Sequence, residues 1–377
     1  MSQLILSHVS KSFISQGRPD LLLDINLYVD EGECLGIVGS SGSGKSTLLR
    51  MIAGLETLTQ GEIFIDQKLM NTVPVTRRGL EMVFQQHALF PHMTLEQNIL
   101  FGLKHRSLTK AEQRQRVKWV SKLFDLERVI NQLPMHLSSE NIQRGALAKA
   151  IAPQALLVLL DEPFAGLSGD TRSQLRLELN RVQRQLGTTF VMTTHHYQDA
   201  MAVADRMAVI SHLSDQTMTN LEQVGPPLEL YHNPRNTQVA QLIGEPKMCF
   251  LKGALVETNN KLSMVKLTSG ERIAVQVDTR QGEVGSAITL GIRAEHLRLA
   301  QNPQETHLLA QVVGIDKFGA DTFVYLNHQG RQLVLRMITA TALPSVSEIP
   351  LHFPSEACYL FNDQGIAFPR TSEQLYL

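Results

Sequence analysis

The sequence predicts an α/β domain built on a mostly parallel sheet, followed by a smaller all-β domain. Three observations carry this expectation. A short apolar run, Cys34–Val38, stops at a Gly/Ser cluster and leads into a helical stretch, Lys45–Ala53, the strand–loop–helix opening of an α/β unit. Two further strands, 155–160 and 189–193, alternate with helical stretches, and a strand apolar at nearly every position belongs in a buried parallel sheet. After Gly225-Pro226-Pro227 the texture changes to short strand-like runs punctuated by Gly, Asn and Asp turns.

Taken in order, residues 3–9 alternate apolar and polar, as a half-buried strand does. Residues 109–126 read as a helix with one charged face, 171–186 as an amphipathic helix, and 197–204 as a helix after the 189–193 strand. This alternation predicts a sheet covered on both faces through about residue 212. Beyond it, strand-like runs at 264–267, 273–277, 287–292, 310–313, 322–326 and 332–336 predict a small antiparallel barrel. The expected boundary lies near 236, giving domains 1–235 and 236–377.

The length of 377 residues suits two or three domains. Hydrophobic residues make up 43% and charged residues 19%, which excludes a largely disordered chain. Lys plus Arg is 35 against 36 Asp plus Glu, so there is no global basic surplus for binding a phosphate backbone, and no nucleic-acid partner is expected. The longest apolar run, at 155–160, falls far short of the roughly 20 residues of a membrane span. The first residues show no basic segment leading into an apolar one, so no secretory signal is expected. Cys34, Cys249 and Cys358 are scattered, without metal-site or disulfide spacing, and read as reduced residues of a cytosolic protein.

Gly39-Ser40-Ser41-Gly42-Ser43-Gly44-Lys45-Ser46 fits the P-loop pattern. Its glycines let backbone N–H groups turn in around phosphate oxygens, and the following helix adds its positive end. Lys45 is placed to reach the β- and γ-phosphates and Ser46 to ligate Mg²⁺, with Thr47 next in line at the nucleotide. A second apolar strand ends in Asp161-Glu162, the Walker B arrangement. Asp161 is expected in the Mg²⁺ shell and Glu162 at the attacking water, the alternative being a carboxylate pair that caps a helix. His195 follows Thr193-Thr194 at the end of a third strand. Ends of adjacent parallel strands converge on one crevice, which favours a functional role, although a strand-end His beside His196 is open to a structural one. Gln85 follows Met82-Val83-Phe84 in the same way; its amide either reaches Mg²⁺ or water, or is simply solvated.

The P-loop, Gln85, a Leu137-Ser138 start, Walker B and His195, in this order and spacing, resemble the nucleotide-binding subunits of ABC transporters. STLLRMIAGL (46–55), VFQQHALFPH (83–92) and GEPKMCFL (244–251) are similar to importer ATPases for maltose and glycerol phosphate. GIRAEHL (291–297) resembles the C-terminal OB-like, TOBE-type domain of the same group. The likeness covers nearly the whole chain and is weakest after about residue 300.

The resemblance implies a P-loop ATPase domain of ABC type, with a helical subdomain at about 87–150, followed by an OB-like regulatory domain. It implies Mg²⁺-dependent ATP hydrolysis coupled to uptake of a solute, carbohydrate or polyol phosphate. The implied partners are permease subunits in the membrane, an extracytoplasmic solute-binding protein and a second ATP-binding subunit, identical or not, and the implied place is the cytoplasmic face of the membrane. Two subunits would sandwich two ATP molecules, each touching the P-loop of one and the signature segment, with Ser138, of the other. Gln85 would sense Mg²⁺ and the membrane partner, and His195 would contact the γ-phosphate. An aromatic residue near the N-terminus would stack on adenine. Phe13 stands there, and a core position is its other reading. The segment 85–101, with Leu89, Phe90, Met93 and Leu95 expected to be exposed, would dock the permease.

Two departures stand out. The family signature is LSGGQ, and this chain has Leu137-Ser138-Ser139-Glu140-Asn141. A carboxylate facing the γ-phosphate would be repelled by about 4 kcal/mol per unit-charge pair at ~4 Å and an effective dielectric of ~20. The acid expected after Leu167 is Ser168, with Asp170 further on. These changes raise the alternative of a degenerate, weakly hydrolysing regulatory paralogue.

Overall fold

This computed structural model describes residues 3–13, 20–85, 89–213, 219–338 and 347–371. The chain separates into two units, Met1–Leu228 and Glu229–Leu377. In chain order the first unit holds β1 (Leu4–Ser12), β2 (Asp20–Val29), β3 (Cys34–Val38), α1 (Lys45–Ala53), β4 (Gln60–Ile65), β5 (Lys68–Leu69) and β6 (Leu80–Val83). There follow α2 (Leu95–Gly102), α3 (Lys110–Leu123), α4 (Ser139–Ile151), β7 (Leu157–Asp161), α5 (Gly169–Leu186), β8 (Thr189–Thr194), α6 (Tyr197–Val203), β9 (Arg206–Ile210) and β10 (Leu221–Gly225).

Six strands form the central sheet in the order β10-β9-β3-β8-β7-β6, parallel except for β10 on the edge. β3, β7 and β8 are buried at every position, as strands covered on both faces must be. The sheet runs past residue 212 because β10 turns back antiparallel along β9. A second sheet, β2-β1-β4-β5, is antiparallel throughout. Only β1 of it was expected. β2 alternates sides along its second half, with Ile25, Leu27 and Val29 buried, and that face joins Leu49 and Ile52 of α1 in one core.

The helical layer is α2, α3 and α4. Capping boxes start α2 at Thr94 with Gln97 and α3 at Thr109 with Glu112. The expected exposure of Leu89, Phe90, Met93 and Leu95 is corrected here, Phe90 and Met93 being half-buried. Leu89 and Leu95 are buried, and Phe90 packs edge-on against Phe101 at 4.8 Å, with the Lys149 ammonium 4.2 Å above its ring. Apolar side chains next to a helix start find cover in the helical layer itself. Gln86, His87 and Ala88 of that segment lie outside the described residues.

The helix α7 (Pro227–His232) spans the division. The second unit continues with α8 (Thr237–Leu242), β11 (Cys249–Glu257), β12 (Ser263–Leu267), β13 (Arg272–Val275), β14 (Ala287–Ile292) and β15 (Arg298–Leu299), then β16 (Leu308–Phe318), β17 (Asp321–His328), β18 (Arg331–Ile338), β19 (Glu348–His352) and β20 (Tyr359–Phe361). Two five-stranded antiparallel sheets, β13-β12-β11-β14-β20 and β15-β19-β16-β17-β18, share one apolar core that includes Leu251, Val265, Leu290, Val324, Leu335 and Leu351. Arg293, of the GIRAEHL stretch, is fully buried. Its guanidinium donates to the carbonyls of Ile243 at 2.7 Å and Tyr231 at 2.5 Å and lies 3.8 Å from the Tyr231 ring centroid. All three cysteines are buried and free, and burial pushes the Cys249 thiol up to about 11. Among the described residues no helix is long and apolar enough to cross a membrane.

Candidate active site

The loop between β3 and α1 closes tightly on the end of β9. A Cβ on Gly39 would run into the Ile210 carbonyl oxygen, so only glycine lets the backbone pass. Lys45, the first residue of α1, folds its ammonium back onto the loop, donating to the Gly39 carbonyl at 2.9 Å and the Ser40 carbonyl at 2.8 Å. Burial lowers its pKa below the ordinary lysine value, opposed by the nearby charges of Glu162 and Asp161. Beside it Ser43 Oγ is buried, with no hydrogen-bond partner among the described residues.

β7 delivers Asp161 and Glu162 to the same end of the sheet. Asp161 Oδ1 accepts hydrogen bonds from Ser46 Oγ at 2.8 Å and from Thr193 Oγ1 at 2.7 Å, which ties the start of α1 and two adjacent strands to one carboxylate. Glu162 has a φ of 52°, an uncommon backbone state for a residue with a side chain, and its N–H donates to the Thr193 carbonyl at 3.1 Å. Its Oε1 lies 2.9 Å from Nδ1 of His195, whose side chain is 41% exposed. The His196 ring sits 4.1 Å from the His195 ring, and burial together with His195 lowers its pKa.

A cavity of about 420 Å³ opens here, lined by Leu21, Ser41, Gly42, Gly44, Lys45, Ser46, Thr47, Gln85, Glu162 and His195. The fold thus brings Gln85, from the end of β6, to the P-loop, Glu162 and His195. Asp161 lies just behind them through Ser46. Phe13 and Ser138 do not line the cavity. Phe13 is half-buried, with the Lys11 ammonium 4.8 Å above its ring. Ser138 is exposed at the start of α4, where its Oγ accepts from the Asn141 N–H at 3.2 Å. Leu21 and Thr193 were not anticipated. Leu21 belongs to an unexpected strand, and Thr193 reaches Asp161 only through the β7–β8 register.

Residues 22–165 match the ABC transporter family and residues 290–361 the TOBE domain. The maltose/maltodextrin import ATP-binding protein of Yersinia pestis bv. Antiqua (strain Antiqua) is 37% identical over 377 residues, covering 100% of both chains. The chain belongs to the ABC transporter family of ATP-binding proteins. The maltose/maltodextrin import ATP-binding protein of Salmonella typhi is 36% identical, covering 99% of each chain. Among solved structures, a dimeric bacterial ABC transporter cassette superposes with a TM-score of 0.53 at 29% identity, over 59% of this chain and 98% of that one. A post-hydrolysis state of the same cassette bound to ADP and Pi gives 0.51, also at 29% identity, over 57% and 98%.

Within this ABC chain the stretch Leu137–Asn141 leads into α4: Ser138 caps the helix and Ser139, Glu140 and Asn141 open its first turn. The Glu140 carboxylate is not a free charge: it pairs with Arg144 at 3.1 Å, one turn along. Arg144 is buried and also holds Glu178 at 2.8 Å, where burial raises the Glu178 pKa. Gln143 Nε2 donates to the Pro163 carbonyl at 2.6 Å, linking α4 to the segment that follows Glu162. Ser168 starts α5, and Asp170 lies in its first turn.

Proposed function

We propose that the chain is the ATP-binding subunit of a carbohydrate importer, hydrolysing ATP at the cytoplasmic face of the membrane to drive uptake through separate permease subunits fed by a solute-binding protein. The observation that supports this best is the full-length identity to maltose/maltodextrin import ATP-binding proteins. The ADP- and Pi-bound cassette supports the nucleotide, and the dimeric cassette supports action in pairs.

The site residues take the following roles. The P-loop amides and Lys45 hold the β- and γ-phosphates; the carbonyls that now accept from Lys45 are exchanged for phosphate oxygens. The Ser46 hydroxyl, the Asp161 carboxylate to which it donates and the Gln85 amide, which lines the same cavity, offer oxygens, a set that suits Mg²⁺. When bound, Mg²⁺ neutralises charge on the phosphates. Glu162 orients and polarises the attacking water. His195 holds the Glu162 carboxylate until it turns to the γ-phosphate, leaving the carboxylate to the water. Phe13 stacks on adenine, and Ser138 meets the ATP of a facing subunit.

Glu162→Gln keeps the shape of the side chain and removes its basicity. It is expected to cut ATP turnover by about a hundredfold or more, the low end for a lost general base, while nucleotide binding persists. Steady-state hydrolysis alongside calorimetric ADP binding measures both. Unchanged turnover would remove Glu162 from the chemistry, and a parent chain without ATPase activity, with or without permease, would end the reading as a whole.

A further inference from the structure

His212 lies just beyond the end of β9, in no motif of the sequence. Its Nε2 is 3.2 Å from the carbonyl oxygen of Ser41, and its Cε1 is 3.4 Å from where a Cβ on Gly42 would stand. Ser41 and Gly42 both line the candidate nucleotide cavity. The backbone that carries His212 is held in place. Ser211 N–H donates to the Asn220 carbonyl at 3.0 Å, and Asn220 Nδ2 donates to the carbonyls of Ser211 at 3.0 Å and Leu21 at 3.1 Å. Asn220 Oδ1 accepts from the Leu23 N–H at 2.6 Å. His212 is thus presented to the P-loop from a segment clamped to β2.

In a trans peptide the carbonyl and the next N–H point in opposite directions. Whatever holds the Ser41 oxygen on one side therefore aims the Gly42 N–H at the other. Gly42 has a φ of 83°, a region glycine enters as easily as any other, so sterics alone do not orient this peptide. An anion cradle made of backbone amides works only if those amides are already aimed inward.

We propose that His212 is a positioning residue for the phosphate cradle: it donates from Nε2–H to the Ser41 carbonyl and so keeps the Gly42 N–H facing the nucleotide phosphates. The assignment places the ring proton on Nε2, and it rests on the nucleotide reading of the site. His212 is exposed, and a single hydrogen bond there contributes enough for an effect of about fivefold.

The test is calorimetric titration of ADP into the full chain and three variants. His212→Ala is expected to weaken ADP binding by about fivefold. His212→Gln, whose amide can still donate to the Ser41 carbonyl, is expected to stay within about twofold of the parent. Parent-like affinity in His212→Ala overturns the proposal. So does an equal loss in the Ala and Gln variants, since a merely structural ring would not be rescued by a donor. The third variant, Lys45→Ala, separates the two levels: if it binds ADP as the parent does, the phosphate-cradle reading fails, and the role of His212 with it.

Discussion

At the start of α1 Ser46 is tied to another element, whereas at the start of α4 Ser138 and Glu140 bond along their own helix. Ser46 and Thr193 converge on Asp161, His195 meets Glu162, and Lys45 spans the loop. These groups come from three stretches of chain, at the start of α1 and the ends of β7 and β8, and they hold one another in place, which is what electrostatic preorganisation requires. Ser138, by contrast, caps α4, and Glu140 pairs along it with Arg144. The first region has the form of a site. The second, on the function proposed above, acts against something facing it. The difference leads us to expect that nucleotide binding needs the first region alone whereas turnover needs both, so that substitutions at the start of α4 uncouple the two.

The largest effect that would sharpen this contrast is at Lys45. Lys45→Ala is expected to lower ADP affinity by about a hundredfold, in the range for charge-assisted hydrogen bonds to phosphate, with the fold kept. Calorimetry and a melting curve check both halves of that statement. Parent-like binding would mean that the first region is no phosphate site.

A smaller effect is expected in the signature. Replacing Ser139 and Glu140 together by glycine is expected to change turnover by less than about threefold and to lower the melting temperature. Arg144 already draws the Glu140 carboxylate along the helix, and each glycine in a helical turn costs roughly 1 kcal/mol. The sequence alone suggested a repulsive acid at the γ-phosphate. A tenfold gain in turnover would restore that view and break the comparison drawn here.

The smallest effect is a matter of pH, at the seam between the sheet and the helical layer. Burial pushes the Glu81 carboxyl up to about 7, against the pull of Arg106 and Lys149. Its pKa is higher folded than unfolded, so the unfolded chain gives up this proton first and Glu81 costs stability as pH rises from about 4.5 to about 7. Glu81→Gln is therefore expected to raise the melting temperature at pH 8 and to leave it nearly unchanged at pH 4. An equal shift at both values would mean that the effect is packing and not ionisation.

Much of the first region was legible in the sequence because its motifs are local. The P-loop, Asp161-Glu162, Gln85 and His195 each sit at the end of an apolar strand, and parallel strands bring such ends together. What escaped the sequence depends on pairing across strands. Thr193 reaches Asp161 because these two residues are register partners, and Leu21 lines the cavity from a strand of the antiparallel sheet. Leu89 and Leu95 looked available to a partner because a run of apolar residues does not say which neighbour covers it. Their cover comes from the helical layer. His212 carries no motif at all, and its place depends on the Asn220 clamp.

The separation of the two regions is tested most directly by Ser138→Arg. Bulk and charge at the exposed start of α4 should leave the chain's own cavity untouched and obstruct what faces it. ADP affinity is expected to stay within about twofold of the parent while ATP turnover falls by about thirtyfold or more, since about 2 kcal/mol of lost transition-state stabilisation corresponds to that factor. Turnover equal to the parent's, or affinity lost in step with turnover, would contradict the account.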